Sequence, residues 1–310
     1  MSETSDSFAR CVEQSERAAW RLDDVMPAGT RLDFTSPFLP ESLAKTASLE
    51  MLDARERKIL NQITANAYLN AFSFVEEYII ATMMDHARAE LFGDKDALRA
   101  LTRVAEEEVK HQQLFERYRI AFEDGFGTTC RVLDNAAEVA GAILSKSPVA
   151  VMLVTFQLEL TTQHHYVESA RDDDTLDPFF VSLLKHHWIE ESQHARVDAL
   201  ELEKQAAFAP NRALESGVDE YFEIVAELGA TFARQAAMDV DSLATAIGRV
   251  LTDDERTRIE ASRRLAYEDM FVRCGLTHPT FLALLGRLDE SAPERAESLA
   301  KTLGGDPSCN

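Results

Sequence analysis

The feature that most constrains this chain is a stretch of more than one hundred residues without proline. Prolines lie at positions 27, 37 and 40, and the next one is Pro148. The intervening residues are rich in Ala, Leu, Glu and Arg, which favour helices, whereas proline interrupts them. No segment shows the alternation of apolar and polar residues that a half-buried strand requires. The sequence therefore predicts an all-α protein.

Glycines, prolines and acidic turns divide the chain into helical segments. We expect four long helices over about 54–92, 96–123, 134–171 and 178–207, which together predict a four-helix core within residues 50–208. Residues 1–49 are expected to form a short amphipathic helix over 1–22 and an irregular arm. Residues 209–310 are expected to add helices over about 213–238, 241–250, 253–274 and 279–288, packed on the core as one domain, and a frayed Gly-Gly-Asp-Pro tail.

The charge balance excludes several classes of partner. Acidic residues outnumber basic residues 54 to 32, and the formal charge is −22. Such a polyanion repels phosphate backbones and anionic lipids, so we expect neither a nucleic acid nor a membrane partner. The longest apolar run, Val149 to Val154, is far shorter than the roughly 20 residues that span a bilayer. The polar N-terminus resembles no secretion signal, and four scattered cysteines suit reduced thiols, so we predict a cytoplasmic protein.

Two Glu-x-x-His units are the first candidates for a functional site: Glu108 with His111, and Glu191 with His194. On a helix, residues i and i+3 share one face, so each unit can direct a carboxylate and an imidazole to one point. A chain with this many glutamates and eight histidines contains about one such unit by chance. The units alone are therefore weak evidence.

Two further glutamates repeat the spacing between the helices. Glu77 precedes Glu108 by 31 residues, and Glu159 precedes Glu191 by 32, which suits pairs of antiparallel helices joined by short loops. Glu77 and Glu159 are 82 residues apart, whereas the two Glu-x-x-His units are 83 apart. The chain therefore repeats one helix-pair arrangement twice.

Glu76 is an alternative to Glu77, because it precedes Glu108 by 32 residues. Glu159 lies in a strongly apolar segment, where an isolated carboxylate would be costly. Three neighbouring glutamates are expected on solvated helix faces instead: Glu106, Glu107 and Glu190.

Four carboxylates and two histidines form the donor set of di-iron and di-manganese sites in ferritin-like bundles. Two adjacent cations need several anionic oxygens, and mixed oxygen and imidazole ligands suit iron or manganese better than zinc. The alternative, in which these glutamates are ordinary surface charges, is reasonable for any single residue but not for the whole set. We therefore predict a ferritin-like bundle that holds two metals.

His187 extends this set. It lies four residues before Glu191 and seven before His194, so all three fall on one helical stripe. As a ligand it would give one metal an additional imidazole. The alternative is a hydrogen-bonded core residue that only orients the ligands.

The whole pattern, over about residues 60–205, resembles the p-aminobenzoate N-oxygenase family of di-iron arylamine oxygenases. That family carries Glu, Glu-x-x-His, Glu and His-x-x-x-Glu-x-x-His in this order. The segment Glu77-Tyr78-Ile79-Ile80-Ala81 is similar to the family's first-ligand segment and favours Glu77 over Glu76. The polar segment 161–165 differs from the more apolar one of the family, so the substrate stays open. The resemblance implies seven metal ligands: Glu77, Glu108, His111, Glu159, His187, Glu191 and His194.

The resemblance also implies a non-haem di-iron oxygenase that activates O₂ through a peroxo species and oxidises a small organic substrate. N-oxygenation of an amine is the expected reaction, with two iron ions (manganese as the alternative), O₂ as co-substrate and an external electron donor. The competing hypotheses are a C-hydroxylase or desaturase-type oxidase, a ferroxidase, a radical-generating ribonucleotide-reductase-like subunit, and a helical scaffold without metal. We expect a homodimer, because such bundles often pair.

Overall fold

The computed structural model describes residues 3–303, and side chains from residue 7 onward. Within that range every regular element is helical, which confirms the predicted all-α fold. The Gly-Gly-Asp-Pro tail, which was expected to fray, lies outside the described residues. The helices are α1 (Glu3–Ala18), α2 (Leu22–Val25), α3 (Glu41–Ala44), α4 (Ala54–Ala89), α5 (Lys95–Phe126), α6 (Ala136–Leu144), α7 (Pro148–Gln163), α8 (Pro178–Phe208), α9 (Asn211–Ile247), α10 (Asp253–Glu268), α11 (Cys274–Leu276), α12 (Pro279–Leu288) and α13 (Ala292–Thr302).

Helices α4, α5, α7 and α8 form the four-helix core. Helix α4 packs along α5, helix α7 packs along α8, and contacts of α5 with α8 and of α4 with α7 close the bundle. Each of the four begins at a side chain that accepts a hydrogen bond from a backbone N–H of the first turn, which satisfies one of the otherwise unpaired donors there. These capping residues are Asp53, Asp94, Ser147 and Asp177. The ferritin-like bundle predicted from the sequence is confirmed.

The third long helix of the prediction is divided in the structure. Helix α6 ends at Leu144, and α7 starts again at Pro148 with Ser147 as its cap. Proline has no N–H to continue a helix and disfavours helical backbone at the residue before it, so the chain breaks there. Two π-helical turns, His164–Ala170 and Asp269–Arg273, continue α7 and α10.

The C-terminal region also differs from its predicted segments. The two helices expected over 213–238 and 241–250 form one continuous helix, α9. No proline or glycine separates the two patterns, so nothing interrupts the helix before Gly248, which caps it in the left-handed conformation. Helix α13 follows α12 and was not anticipated.

Additional helices cover two sides of the bundle. Helix α1 packs on α5 and α8, while α9 packs on α4 and α7. Helix α10 packs in turn on α9. One apolar cluster extends from α1 through the four core helices to α12 and α13, so the interior of the bundle is shielded from water. Within residues 3–303, no helix is both long enough and apolar enough to cross a bilayer.

Candidate metal centre

Buried carboxylates and imidazoles converge between the four core helices. Two overlapping groups of four side chains place one potential ligand atom each within 4.8 Å of the others. His111 and Glu191 belong to both groups, so the two groups form one continuous cluster. The first group is Glu76, His111, His187 and Glu191, and the second is Glu108, His111, Glu191 and His194.

In the structure Glu76, and not Glu77, lies in this cluster. The Glu77 side chain is exposed and lines a surface groove between α4 and α5, whereas Glu76 is only 1% exposed. Successive helical residues point about 100° apart, so only one of the two can face the bundle interior. Phe72, Glu76 and Ile79 form the buried stripe of α4, and Glu77 lies beside it.

A signal for this choice was present in the sequence. With Glu76, the interval to Glu108 is 32 residues, which equals the interval from Glu159 to Glu191. The interval from Glu76 to Glu159 becomes 83, which equals that between the two Glu-x-x-His units. With a uniform repeat, equivalent residues of the two helix pairs face the same direction. These intervals therefore indicated the buried glutamate better than the similarity of the segment around Glu77 to the family did.

The histidines of both Glu-x-x-His units turn Nδ1 towards the centre. His111 Nδ1 lies 3.0 Å from Glu191 Oε1 and 3.2 Å from Glu108 Oε2. His194 Nδ1 lies 3.0 Å from Glu108 Oε1 and 3.5 Å from Glu191 Oε1. The carboxylates of Glu108 and Glu191 therefore each lie close to both imidazoles, which is the placement expected of carboxylates that could bridge two cations.

His187 joins the centre through its other nitrogen. Its Nε2 lies 3.2 Å from Glu191 Oε1 and 3.3 Å from Glu76 Oε1, and the side chain is buried. The rings of Phe72 and Phe115 pack edge-on against the imidazole and fix its orientation. The structure thus brings His187 to the centre, on the same side as Glu76.

Glu159 lies on the opposite side of the centre, next to His194. Its Oε2 is 3.8 Å from His194 Nδ1, and the side chain is 2% exposed. Burial, together with the nearby carboxylate of Asp198, raises the pKa of Glu159 well above its usual value. All the sequence-derived positions except Glu77 therefore meet in one buried cluster.

The residues fit a pair of cations. Both carboxylate oxygens of Glu76 and of Glu159 are buried, and among the described residues no well-aligned hydrogen bond reaches them, although His187 Nε2 lies 3.3 Å from Glu76 Oε1. Burial raises the pKa of Glu76 to about 8, so its anion is unfavourable there unless a positive charge adjoins it. Four carboxylates and three imidazoles form an oxygen-rich donor set that suits iron or manganese.

A second layer of carboxylates orients the histidines, and sequence reasoning missed it. Glu107 and Glu190 were expected on solvated faces, but they are only 2% and 0% exposed. Glu190 Oε2 lies 2.8 Å from His111 Nε2, and Glu107 Oε2 lies 3.0 Å from His194 Nε2. Glu106 is exposed, as expected.

This second layer is reciprocal between α5 and α8. Each glutamate precedes the Glu-x-x-His unit of its own helix and orients the histidine of the other helix. The two are 83 residues apart, so the internal repeat includes them and could have revealed them.

Neighbouring hydrogen-bond donors stabilise both second-layer glutamates. Arg103 Nε and Ser15 Oγ donate to Glu107 Oε1 at 2.9 and 2.6 Å. These contacts and His194 outweigh burial and lower the pKa of Glu107 to about 2. Lys110 Nζ donates to Glu190 Oε1 at 2.5 Å and lies 4.1 Å from the centroid of the Trp20 ring. The N-terminal region therefore supports the metal centre as well as covering it.

Neutralising a second-layer glutamate should weaken metal binding. We expect Glu190→Gln and Glu107→Gln each to reduce the affinity for Fe²⁺ by about 10–100-fold, because the histidine loses the charge that orients its ring. Chelator competition on the purified variants measures this affinity. Glu106→Gln is the matched control and should bind like the wild type. Equal affinities in all four proteins would contradict the orienting role.

The comparison with known protein families gives an independent result. The p-aminobenzoate N-oxygenase AurF family model matches residues 2–270. The chain belongs to this family. The match extends well beyond the 60–205 segment that resembled the family by its motifs, and it includes the N-terminal region and α9. A comparison with curated proteins gave no match.

Membership determines the general chemistry. Proteins of the AurF family are di-iron oxygenases that N-oxygenate arylamines, so this chain is an O₂-dependent oxygenase. The buried glutamates and histidines of its core form the groups that could hold the metal ions.

Proposed function

We propose that this protein oxidises the nitrogen of a small arylamine with O₂, at a di-iron centre held by seven side chains. The observation that carries the proposal is the buried donor set between the core helices. Relative to the sequence-based set, Glu76 takes the place of Glu77. The proposed ligands are Glu76, Glu108, His111, Glu159, His187, Glu191 and His194.

The chain's own residues hold and isolate the centre. Glu191 and His111 belong to both groups of possible ligands, and His187 would add a nitrogen donor on the Glu76 side. Glu107 and Glu190 fix the rings of the two Glu-x-x-His histidines, and apolar packing excludes water. When bound, two irons would supply the redox chemistry that activates O₂.

The remaining features of the reaction stay predictions. An external electron donor must reduce the irons, and a homodimer and a cytoplasmic location are expected from the sequence alone. Manganese in place of iron, or oxidation of a substrate carbon instead of nitrogen, are the alternatives that metal analysis and product analysis distinguish. A ferroxidase or radical-generating role is less consistent with an arylamine-oxidising family.

The decisive experiment is anaerobic loading of the purified protein with Fe²⁺, followed by exposure to O₂ with and without arylamines. We expect two irons per chain by metal analysis, a transient absorbance band typical of a peroxo adduct, and hydroxylamine, nitroso or nitro products by mass spectrometry. A chain that takes up no iron would refute the metal centre. Products oxidised only at carbon would refute the N-oxygenation.

His187 has a separable contribution. We expect His187→Ala to remain folded and to keep most of its iron, because six of the proposed ligands remain. Its rate of product formation should fall by at least about 10-fold, since one cation position loses its second imidazole. Spectroscopy of the iron-loaded variant should also change, which loss of packing alone would not cause. An unaltered spectrum would assign His187 to packing against Phe72 and Phe115.

A further inference from the structure

A buried tyrosine–histidine pair lies beside the metal centre and takes no part in the ligand set. Tyr68 on α4 and His165, in the π-helical turn that continues α7, are both 0% exposed. Tyr68 OH lies 2.9 Å from His165 Nδ1. His165 belongs to the polar segment 161–165, where the chain departs from the more apolar pattern that the family resemblance implies. The shared ligand pattern therefore does not explain this pair.

The surroundings of His165 determine where its hydrogen lies. Its Nε2 is 3.1 Å from the backbone oxygen of Met270. A carbonyl oxygen only accepts hydrogen bonds, so Nε2 carries the hydrogen and donates it. Burial, and to a smaller extent the charge of His164, lowers the pKa of His165 well below its usual value, so the imidazole is neutral. Nδ1 is therefore an unprotonated acceptor, to which Tyr68 OH donates.

Two irregular turns of helix hold the imidazole in this position. His165 lies in the π-helical turn His164–Ala170, and Met270 lies in the second one, Asp269–Arg273. The hydrogen bond between the two residues joins these turns across the core. Single π-helical turns within α-helices are rare and occur frequently at functional sites. The placement of His165 against Tyr68 therefore depends on local geometry of a kind that often accompanies function.

One phenylalanine ring separates Tyr68 from the metal centre. The Tyr68 ring lies 4.8 Å from the Phe72 ring, which in turn lies 4.9 Å from the ring of the proposed ligand His187. Tyr68, Phe72 and Glu76 follow each other at intervals of four residues, so they share one face of α4. Burial, together with the negative charges of Glu191 and Glu76, raises the pKa of Tyr68 well above its usual value. Tyr68 therefore lies within range of electron transfer to the centre, although it is not a ligand.

The pair suits a tyrosine that is oxidised and reduced reversibly. The raised pKa of Tyr68 keeps its hydroxyl protonated until an electron leaves. Removal of one electron turns a phenol into a very strong acid, so even an imidazole with a lowered pKa takes the proton. The proton then stays on the adjacent nitrogen and returns when the ring is reduced again. A buried tyrosine without a neighbouring base has no such acceptor in a core that excludes water.

We propose that Tyr68 is a redox-active tyrosine that reduces the O₂-oxidised di-iron centre by one electron when no substrate reacts. The electron passes from the Tyr68 ring across Phe72, the phenolic O–H bond breaks, and an N–H bond forms at His165 Nδ1. The products are a neutral tyrosyl radical, the imidazolium of His165 and a centre reduced by one electron. This reaction would protect the ligands from an oxidant that lacks its substrate. The inference rests on the proposed function, which supplies that oxidant.

Two other buried tyrosines provide matched controls. Tyr118 is 0% exposed and lies in the same apolar cluster, and its hydroxyl has no hydrogen-bond partner among the described residues. Tyr78 is the stricter control, because burial and the charges of Glu159 and Asp198 raise the pKa of its hydroxyl, which places it near the centre. Within the described part of the chain, no imidazole or carboxylate accepts a hydrogen bond from Tyr78. Neither control tyrosine therefore has a base that could take its proton.

Electron paramagnetic resonance tests the radical directly. Anaerobic protein loaded with Fe²⁺ is mixed with O₂ in the absence of arylamine and frozen rapidly. We expect a tyrosyl signal that narrows when the protein contains ring-deuterated tyrosine. The signal should disappear in Tyr68→Phe and persist in Tyr118→Phe and Tyr78→Phe. A signal that survives in Tyr68→Phe, or that disappears in Tyr78→Phe instead, would overturn the proposal.

His165→Gln separates proton acceptance from packing. A glutamine amide can accept a hydrogen bond from Tyr68 and donate one to Met270, but it is not a base. We expect the radical yield to fall at least about 10-fold, because a positioned proton acceptor is lost. Bound iron and the melting temperature should stay close to those of the wild type. A wild-type radical yield in this variant would show that His165 only packs against Tyr68, and would refute the proton transfer.

A measurement on the metal-free protein needs neither iron nor O₂. Nitrogen-15 magnetic resonance of histidine-labelled protein at neutral pH should show His165 as a neutral imidazole with its hydrogen on Nε2. An imidazolium, or a hydrogen on Nδ1, would overturn the proposal, since Nδ1 could then accept no proton from Tyr68. This result decides the role of His165 if His165→Gln does not fold.

Iron content and product analysis distinguish a failure of this inference from a failure of the proposed function. An iron-loaded wild-type protein that oxidises an arylamine but forms no tyrosyl radical without substrate would overturn the inference alone. A wild-type protein that takes up no iron would refute the proposed function and remove the oxidant of Tyr68 with it.

Discussion

Glu76→Ala is expected to reduce bound iron from two ions per chain to about one and to lower the oxygenation rate by more than about 100-fold. Glu76 is buried, and its carboxylate lies 3.3 Å from His187 Nε2. Its loss therefore removes an anionic ligand from the cation position that His187 also faces. The effect should exceed that of a second-layer change, because a ligand itself is removed.

Glu77→Ala is the control for this prediction, since the two residues are adjacent and chemically identical. Glu77 is exposed on the groove between α4 and α5, so its variant should keep two irons and a nearly unchanged rate. Iron analysis and single-turnover product formation measure both quantities. If Glu77→Ala lost iron and Glu76→Ala retained it, the rotation of α4 described above would be wrong.

Removing the iron should lower the melting temperature by roughly 5–10 °C. An ion at about 100 times its dissociation constant stabilises the folded state by about 2.7 kcal/mol, so two ions contribute about 5.4 kcal/mol. Each kcal/mol shifts the melting temperature by about 1.5 °C in a chain of 310 residues. Without cations, the carboxylates of Glu76, Glu159 and Asp198 are buried, and each has a raised pKa. In the metal-free protein these buried carboxylates must either stay charged without a neighbouring cation or take up protons, and both lower the stability of the folded state.

Differential scanning calorimetry with and without chelator measures this shift. The Glu191→Ala variant tests its origin, because Glu191 contributes to both cation positions. In that variant the chelator should have little further effect. Identical melting curves of the wild-type protein in the two conditions would contradict a resident metal centre.

The sequence by itself determined the helices and most of the donor set. Helix starts depend on neighbouring residues, as at Asp53, Asp94 and Asp177, whose side chains cap the first turns. The i to i+3 relation of Glu108 and His111 is equally local, since it depends only on helical geometry. The repeated spacing of the glutamates and of the two Glu-x-x-His units then predicted that they lie at the same depth in the bundle.

The tertiary structure decided what depends on rotation about a helix axis and on contacts between distant helices. Glu76 and Glu77 have nearly the same local sequence context, and the packing of α4 against α5 and α7 determines which one faces inward. Glu107 and Glu190 looked like surface charges because their partners lie 87 and 79 residues away. Local residue patterns carry no information on such long-range contacts, because burial is a property of the assembled fold.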